Sequence, residues 1–294
     1  MSLNYLIRKK YYICKLEEVY VKPSMKEHRK VLTIAGSDSG GGAGIQADIK
    51  TISACGCYAE SVITAITAQN TEYVKSIHSV PPQIVLDQIE CVLSDLGADA
   101  IKTGMLHSKE IMEVICHYFQ SHKYRNIVVD PVMISTSGNP LITNDSIEYI
   151  KSNILPLARV VTPNIPEAEV LLDNERISAG NMEQAAKKIA QRYNVSVLLK
   201  AGHIEDEYIT DYFYNNETGS TLTLGSKKID TKNTHGTGCT MSSALASMLA
   251  LGKELDEAVT LSHTFIKSAI AAGADYNIGH GHGPVHHFFN YWKD

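Results

Sequence analysis

The chain has 294 residues, 44% of them hydrophobic and 20% charged, with a formal net charge of −5 at pH 7. That length suits one large α/β domain or two small ones, and it supplies a sizeable core. The negative balance speaks against a nucleic-acid surface, the six irregularly spaced cysteines speak for free thiols in a reducing cytosol, and no apolar run reaches the ~18 residues that span a bilayer.

Residues 1–30 differ from the rest, with eight Lys or Arg against three Asp or Glu and several tyrosines. They lack the continuous apolar stretch of a signal peptide and are read as an appendage, with one domain over 31–294 and Met25-Lys26 as a natural start. Val31 to Ala35 is a β-leaning run that stops in Gly36-Ser37-Asp38-Ser39-Gly40-Gly41-Gly42. A helix follows from Ala43 to Cys55, with Ile45, Ile49 and Ile52 on one face and Gly56 as its cap. Strand, glycine loop and helix invite a nucleotide-loop reading. No Gly-Lys-Ser/Thr follows, however, and no strict Gly-x-Gly-x-x-Gly is present.

Glu60 to Gln69 and Tyr73 to Val80 read as strands, and Pro81-Pro82 opens a helix through Leu96. Ala98 to Lys102 is the next strand, Ser108 caps a helix to His122, and Asn126 to Val129 is a strand running into Asp130-Pro131. A helix over Asp145 to Ile154, a strand over Arg159 to Thr162, a helix over Asn181 to Tyr193 and a strand over Ser196 to Lys200 follow. Tyr208 to Tyr214 and Ser220 to Ile229 alternate like an antiparallel pair, and the chain ends in helices over Met241 to Leu251 and Leu255 to Gly273. This alternation implies a mostly parallel sheet covered on both faces. Ligands of such sheets sit beyond the carboxyl ends of the strands. The polar strand ends Gly36-Ser37-Asp38, Lys102-Thr103, Asp130, Asn164 and Lys200 are therefore expected to meet on one rim.

Asn233-Thr234-His235-Gly236-Thr237-Gly238-Cys239-Thr240 stands between strands and helix. Glycines at a helix start let the first-turn N–H groups and the helix dipole hold an anion, and the same field favours a thiolate at Cys239. Spacing alone leaves this level with a glycine-rich helix start and a buried cysteine.

Gly236-Thr237-Gly238-Cys239, with His235 before it, resembles the anion-hole motif of the hydroxymethylpyrimidine and phosphomethylpyrimidine kinases of thiamine biosynthesis, in the ribokinase superfamily. Most ribokinase-type sugar kinases have Asp at the last position. The stretch from Thr33 to Asp48, Ala65 to Asn70, Lys102 to Met105, and Gly283-Pro284-Val285-His286-His287 extend the resemblance over most of the chain. It implies a three-layer αβα ribokinase-like sandwich and a kinase using ATP and Mg²⁺.

Cys239 is then the candidate base, with the N–H groups of Gly236, Thr237, Gly238 and Cys239 around the transferred phosphate. Asn164-Ile165-Pro166-Glu167 resembles the superfamily's Asn-x-x-Glu motif, which brings Asn164 to the phosphates and Glu167, with Asp130, to the Mg²⁺ shell. The plain alternative for Asn164 and Glu167 is a helix cap with a first-turn charge. Lys200 is a candidate phosphate contact, although Ala201 departs from the family's Lys-Gly-Gly-His, and Lys232 is a weaker one. Gln69 matches the position that reads the pyrimidine, an amide suiting an aminopyrimidine edge. Gly36 and Asp48 match further ring contacts and Met105 an apolar wall, against exposed-helix and ordinary-core alternatives for the last two. The histidines at 280, 282, 286 and 287 are read as an ordered turn, with no zinc. The implied activity is phosphorylation of 4-amino-5-hydroxymethyl-2-methylpyrimidine and of its monophosphate by a cytoplasmic homodimer without nucleic-acid or membrane partners. A pyridoxal kinase of the same Cys-type branch and a non-catalytic pyrimidine sensor are the rivals.

Overall fold

The computed structural model describes residues 26–133, 143–202 and 207–292. The elements follow one another as β1 (Lys30–Asp38), α1 (Gly44–Ala54), β2 (Tyr58–Gln69), β3 (Val74–Ser79), α2 (Pro82–Asp95), β4 (Ala100–Thr103), α3 (Lys109–Ser121) and β5 (Ile127–Val129). They continue as α4 (Asn144–Tyr149), β6 (Val160–Val161), α5 (Ile165–Leu171), α6 (Met182–Tyr193), β7 (Ser196–Leu199), β8 (Tyr208–Tyr214), β9 (Thr221–Lys227), α7 (Thr237–Ala250) and α8 (Leu255–Gly273). Among the described residues the strands form one nine-stranded sheet in the order β3-β2-β1-β4-β5-β6-β7-β8-β9. Neighbours from β2 to β7 pair in parallel, while β3, β8 and β9 join antiparallel at the two ends.

Alternation along the strands builds two cores. Leu32, Ile101, Ile127, Val129, Val161 and Val197 face one layer, where Val85 and Ile89 of α2, Ile111 and Ile115 of α3 and Ile189 of α6 pack. Val31, Ala100, Val128, Val160 and Leu198 face the other, with Ile52 of α1, Met241 and Leu245 of α7 and Val259 and Ile266 of α8. This is the expected αβα sandwich.

Several differences from the sequence reading have local causes. β1 runs on to Asp38 rather than Ala35, because Ser37 and Asp38 still pair with Ile66 and Thr67 of β2 beyond a register shift. Helix α7 begins at Thr237, not Met241, so the glycine motif is the first turn of the helix itself. Helix α5, absent from the strand–helix reading, has only seven residues, too few for periodicity to register. It is set by a complete capping box: Asn164 Oδ1 accepts from Glu167 N and Glu167 Oε2 accepts from Asn164 N, both at 2.9 Å. Ser108 caps α3 as expected, accepting from the Ile111 N–H at 3.4 Å. Most of the proposed appendage 1–30 lies outside the described residues; Arg29 and Lys30 bind Asp99 at the start of the fold.

Candidate active site

The carboxyl ends of β1, β4, β5, β6 and β7 and the start of α7 enclose a cleft of about 570 Å³. Gly36, Gln69, Met105, Asp130, Asn164, Glu167, Lys200 and the whole Gly236–Cys239 turn line it. The expected convergence of polar strand ends is thus present, with one refinement: Lys102 lies beneath the cleft, fully buried.

The anion turn is held in shape from two sides. Gly236 has φ +78°, and a Cβ there would stand 1.8 Å from the Gly42 carbonyl oxygen, so the left-handed conformation and the close approach both demand glycine. On the other side the His235 N–H donates to Gly283 O at 3.0 Å. The C-terminal turn therefore anchors the motif, as an ordered tail should. Its histidines go separate ways: His287 Nε2 lies 3.1 Å from Thr240 Oγ1, His282 Nδ1 lies 3.2 Å from Lys232 O, and His286 packs on Tyr276 and Trp292. Burial pulls the His287 pKa down to about 4, so it is neutral at physiological pH.

The first turn of α7 lies beside a cation. A Cβ on Gly238 would lie 3.3 Å from Lys200 Nζ and 3.6 Å from Asp130 Oδ2. Lys200 donates to Asp130 Oδ1 at 3.1 Å. Burial opposes the Lys200 charge, but Asp130 and Glu167 outweigh it, so its pKa is raised and the ammonium persists. Asp130 is ionised despite its burial, held down by Lys200 and Lys102 and by the Thr162 hydroxyl, which donates at 3.0 Å. Burial lifts Glu167 to about 7; Lys200 pulls against this and the charge of Asp130 adds to it. Two neighbouring carboxylates that resist joint ionisation, opposite an anion turn, suit a hard divalent cation. Asn164 both caps α5 and lines the cleft, so the capping and functional readings of the motif coexist.

Cys239 stands in the same first turn, and one expectation for it is corrected. Burial pushes its thiol pKa up to about 11; the nearby Lys102 ammonium lowers it, while Asp48 and Asp130 raise it further. The helix terminus does not win against desolvation and two carboxylates, and the side chain is a neutral thiol at pH 7.

At the other end Gln69 projects from β2, with its backbone locked to the glycine loop: Ser39 Oγ donates to Gln69 O and accepts from Gln69 N, both at 2.8 Å. Met105 lines the cleft, and a Cβ on Gly36 would stand 2.4 Å from Met105 Cε, so only glycine lets the thioether reach over. Two residues are misplaced by sequence reasoning. Asp48 is fully buried and does not line the cleft; Lys102, Thr33 and Ser243 take up its carboxylate. Lys232 is exposed and outside the cleft lining; its carbonyl accepts from the Thr234 N–H at 3.0 Å and lies 3.2 Å from His282 Nδ1. Conversely, Asp38 and His235 line the cleft and bind each other at 2.9 Å, although neither stands among the predicted site residues. The third, apolar end of the cleft was also missed: Ile229, Met241, His263, Ile266 and Ile270 line it, the last three on one face of α8 at helical spacing.

A phosphate-sized anion turn, a lysine and paired carboxylates, between an apolar end and a polar ring-sized end, define a phosphotransferase on a ribokinase-like α/β fold. The model of the family described as phosphomethylpyrimidine kinase matches residues 38–286. The hydroxymethylpyrimidine/phosphomethylpyrimidine kinase of Rhizobium meliloti (strain 1021) is 46% identical over 265 residues, 90% of this chain and 98% of that one. Among solved structures, phosphomethylpyrimidine kinase from Clostridium difficile 630 superposes with a TM-score of 0.72 at 43% identity, over 82% of this chain and 99% of that one. An ADP complex of Bacillus subtilis pyridoxal kinase superposes with a TM-score of 0.82 at 33% identity, over 89% of this chain and 98% of that one. The chain belongs to the phosphomethylpyrimidine kinase family and is an enzyme, a kinase of the thiamine-synthesis type.

Proposed function

We propose that this enzyme transfers the γ-phosphoryl group of ATP to the hydroxymethyl oxygen of 4-amino-5-hydroxymethyl-2-methylpyrimidine, and then phosphorylates the monophosphate to the diphosphate. In each step an oxygen–phosphorus bond forms to the acceptor, the bond from the γ-phosphorus to the β,γ-bridging oxygen breaks, and ADP leaves. The observation that carries this reading is the placement of Gln69 and Met105 in one cleft with the Gly236–Cys239 turn, within a chain of this family.

The chain's own groups divide the work. The apolar end at Ile229, Ile266 and Ile270 suits a nucleobase, and the first-turn N–H groups of α7 with Lys200 hold the transferring phosphoryl charge. Cys239 lies in the turn that meets the acceptor hydroxyl, and the small fraction of it present as thiolate takes that proton. Asp130 and Glu167 would hold Mg²⁺, which when bound neutralises phosphate charge. Conversion of either carboxylate to its amide, Asp130→Asn or Glu167→Gln, should raise the Mg²⁺ concentration for half-maximal rate, roughly tenfold if one of only two protein carboxylates is lost. Unchanged Mg²⁺ dependence in both variants would remove them from the metal shell.

Gln69→Ala leaves the polar edge of the ring unpaired. It should cost about 1–3 kcal/mol of pyrimidine binding, read as a higher KM for the pyrimidine with the KM for ATP unmoved. Loss on both sides alike would make Gln69 structural.

A steady-state assay coupled to ADP release, with hydroxymethylpyrimidine, its monophosphate and pyridoxal as separate acceptors, tests the activity. Preferred turnover of pyridoxal would overturn the substrate, and no turnover of any acceptor would leave a binding protein. We further place the enzyme in the cytoplasm as a homodimer, with one kinase domain over 31–294 and an appended 1–30. The cysteines among the described residues are all free thiols, which suits a reducing compartment. Edge strand β3 and its surroundings expose Tyr73, Val74, Ile77 and Ile66, an apolar edge suited to a second copy.

A further inference from the structure

The proposed phosphoryl transfer makes no use of a hydrogen-bonded pair in the cleft, Asp38 and His235. Asp38, the last residue of β1, accepts from the Gly40 N–H at 2.8 Å, the Gly42 N–H at 3.0 Å and the Ala43 N–H at 2.8 Å. The same carboxylate lies 2.9 Å from His235 Nε2, immediately before the anion turn. Asp38 is held below the usual carboxylate range: burial opposes this, but His235 and the loop N–H groups prevail, so the group is an anion.

His235 Nε2 also stands 3.5 Å from Nε2 of the Gln69 side-chain amide. A ring nitrogen carries one proton at most, and the nearer, charged acceptor takes it. Nε2 therefore has no lone pair to offer the amide, and only the flank of an N–H faces it. On the other side Thr67 Oγ1 lies 3.3 Å from Gln69 Oε1, behind the shorter bond that Thr67 donates to Ser37 O. The single Thr67 hydroxyl proton goes to Ser37 O at 2.9 Å, so Thr67 also presents only lone pairs to Gln69. The two ends of a glutamine amide are told apart by such partners alone. Lone pairs at Thr67 select the NH₂ end and the N–H at His235 selects the carbonyl, so the amide is assigned a half-turn away from the orientation in which Nε2 faces His235 and Oε1 faces Thr67. Neither neighbour binds the amide strongly, so its remaining donor and acceptor stay open toward the cleft.

We propose that Asp38 and His235 are positioning residues that set the direction of the Gln69 amide, and through it the choice of an aminopyrimidine over another hydroxymethyl heterocycle. Asp38 dictates where the His235 proton points, and His235 dictates which end of Gln69 turns to it. The inference rests on the proposed pyrimidine activity and adds the residues that enforce it. A purely structural role for the pair, clamping the glycine loop to α7, makes a different prediction, because the loop and the turn also serve the phosphate end.

The experiment compares the full-length wild type with Asp38→Asn, His235→Ala and His235→Gln. KM and kcat are measured for hydroxymethylpyrimidine, for pyridoxal and for ATP, and hydroxymethylpyrimidine is titrated calorimetrically without nucleotide. With Asp38→Asn or His235→Ala, the KM and Kd for the pyrimidine should rise about 5- to 10-fold, the scale of one positioned hydrogen bond. The preference for pyrimidine over pyridoxal should fall by the same factor, with the KM for ATP within about 2-fold of wild type on the same scale. His235→Gln places an amide N–H where Nε2–H stood and should recover most of the loss. Equal rises for pyrimidine and ATP, an unchanged selectivity, or no recovery in His235→Gln would overturn the positioning role. If Asp38→Asn fails to fold for want of its loop bonds, the two His235 variants decide alone. Wild-type turnover separates the two readings: absence of pyrimidine binding and turnover in the wild type overturns both, whereas normal wild-type turnover with unmoved variants overturns only the positioning pair.

Discussion

Cys239→Ala is expected to lower kcat by about 100-fold or more, the scale of a positioned general base, while pyrimidine binding changes little. The side chain stands in the first turn of α7, in the cleft lining, where the proposed reaction brings the acceptor hydroxyl. Its thiol is raised to about 11, mainly by burial. A base is active in its deprotonated form, and below the pKa that fraction grows tenfold per pH unit. The wild-type log kcat should therefore climb with unit slope through neutral and mildly alkaline pH and level off only as pH nears the thiol pKa. Cys239→Ser separates the two roles. A hydroxyl keeps the position and the hydrogen bond but has no accessible anion, so a true base predicts that Ser is as slow as Ala and pH-independent. A serine enzyme near wild-type speed, or a flat wild-type profile, would reduce Cys239 to holding the hydroxyl in line.

Much of this site could be read from the chain because its parts are local. Gly236-Thr237-Gly238-Cys239 is contiguous, and the need for glycine at 236 is a property of one turn against one carbonyl. Asn164 and Glu167 are three residues apart and bond each other, so both the cap and the rim follow from a short stretch. What failed was non-local. The α1 pattern placed Ile45, Ile49 and Ile52 inside, yet Ile49 is only half-buried while Asp48 and Thr51 are buried. A charge on a buried helix face is invisible to apolar periodicity when its partner, Lys102, lies 54 residues away on strand β4. Lys232 is next to the motif in sequence but turns outward, since adjacency does not fix a side chain's direction. The thiol of Cys239 was misjudged because the dipole at a helix start is visible in sequence, whereas the competing desolvation depends on what the fold packs around it.

The same buried charge supplies the largest expected effect on stability. Lys102→Met should destabilise the fold by about 3–5 kcal/mol, the cost of stranding one member of a buried ion pair, and lower Tm by on the order of 10 °C for a chain of this size. Lys102 and Asp48 are both fully buried, with Nζ at 2.9 Å from Oδ1 and 2.8 Å from Oδ2. Burial alone would pull the Lys102 pKa down; the Asp48 carboxylate overrides it, and the net shift is upward. The Thr33 hydroxyl at 2.6 Å and the Ser243 hydroxyl at 2.7 Å complete the shell of Asp48, joining β1, α1, β4 and α7 directly behind Cys239. With the ammonium gone, two hydroxyl donors remain for a buried anion, too few to hold its charge. Asp48→Asn added to Lys102→Met should restore part of the loss, because a neutral amide keeps both hydroxyls as partners and strands no charge. The double-mutant cycle then yields a coupling energy of the order of 1 kcal/mol or more, and strict additivity would show that the pair is not a unit. The pair also bears on catalysis. Lys102 is the main charge lowering the Cys239 thiol pKa, so the Lys102→Met enzyme, assayed well below its Tm, should have its pH–rate profile displaced further toward alkaline pH. A profile that stays in place while stability falls would mean that the ion pair supports the floor of the site without tuning its thiol.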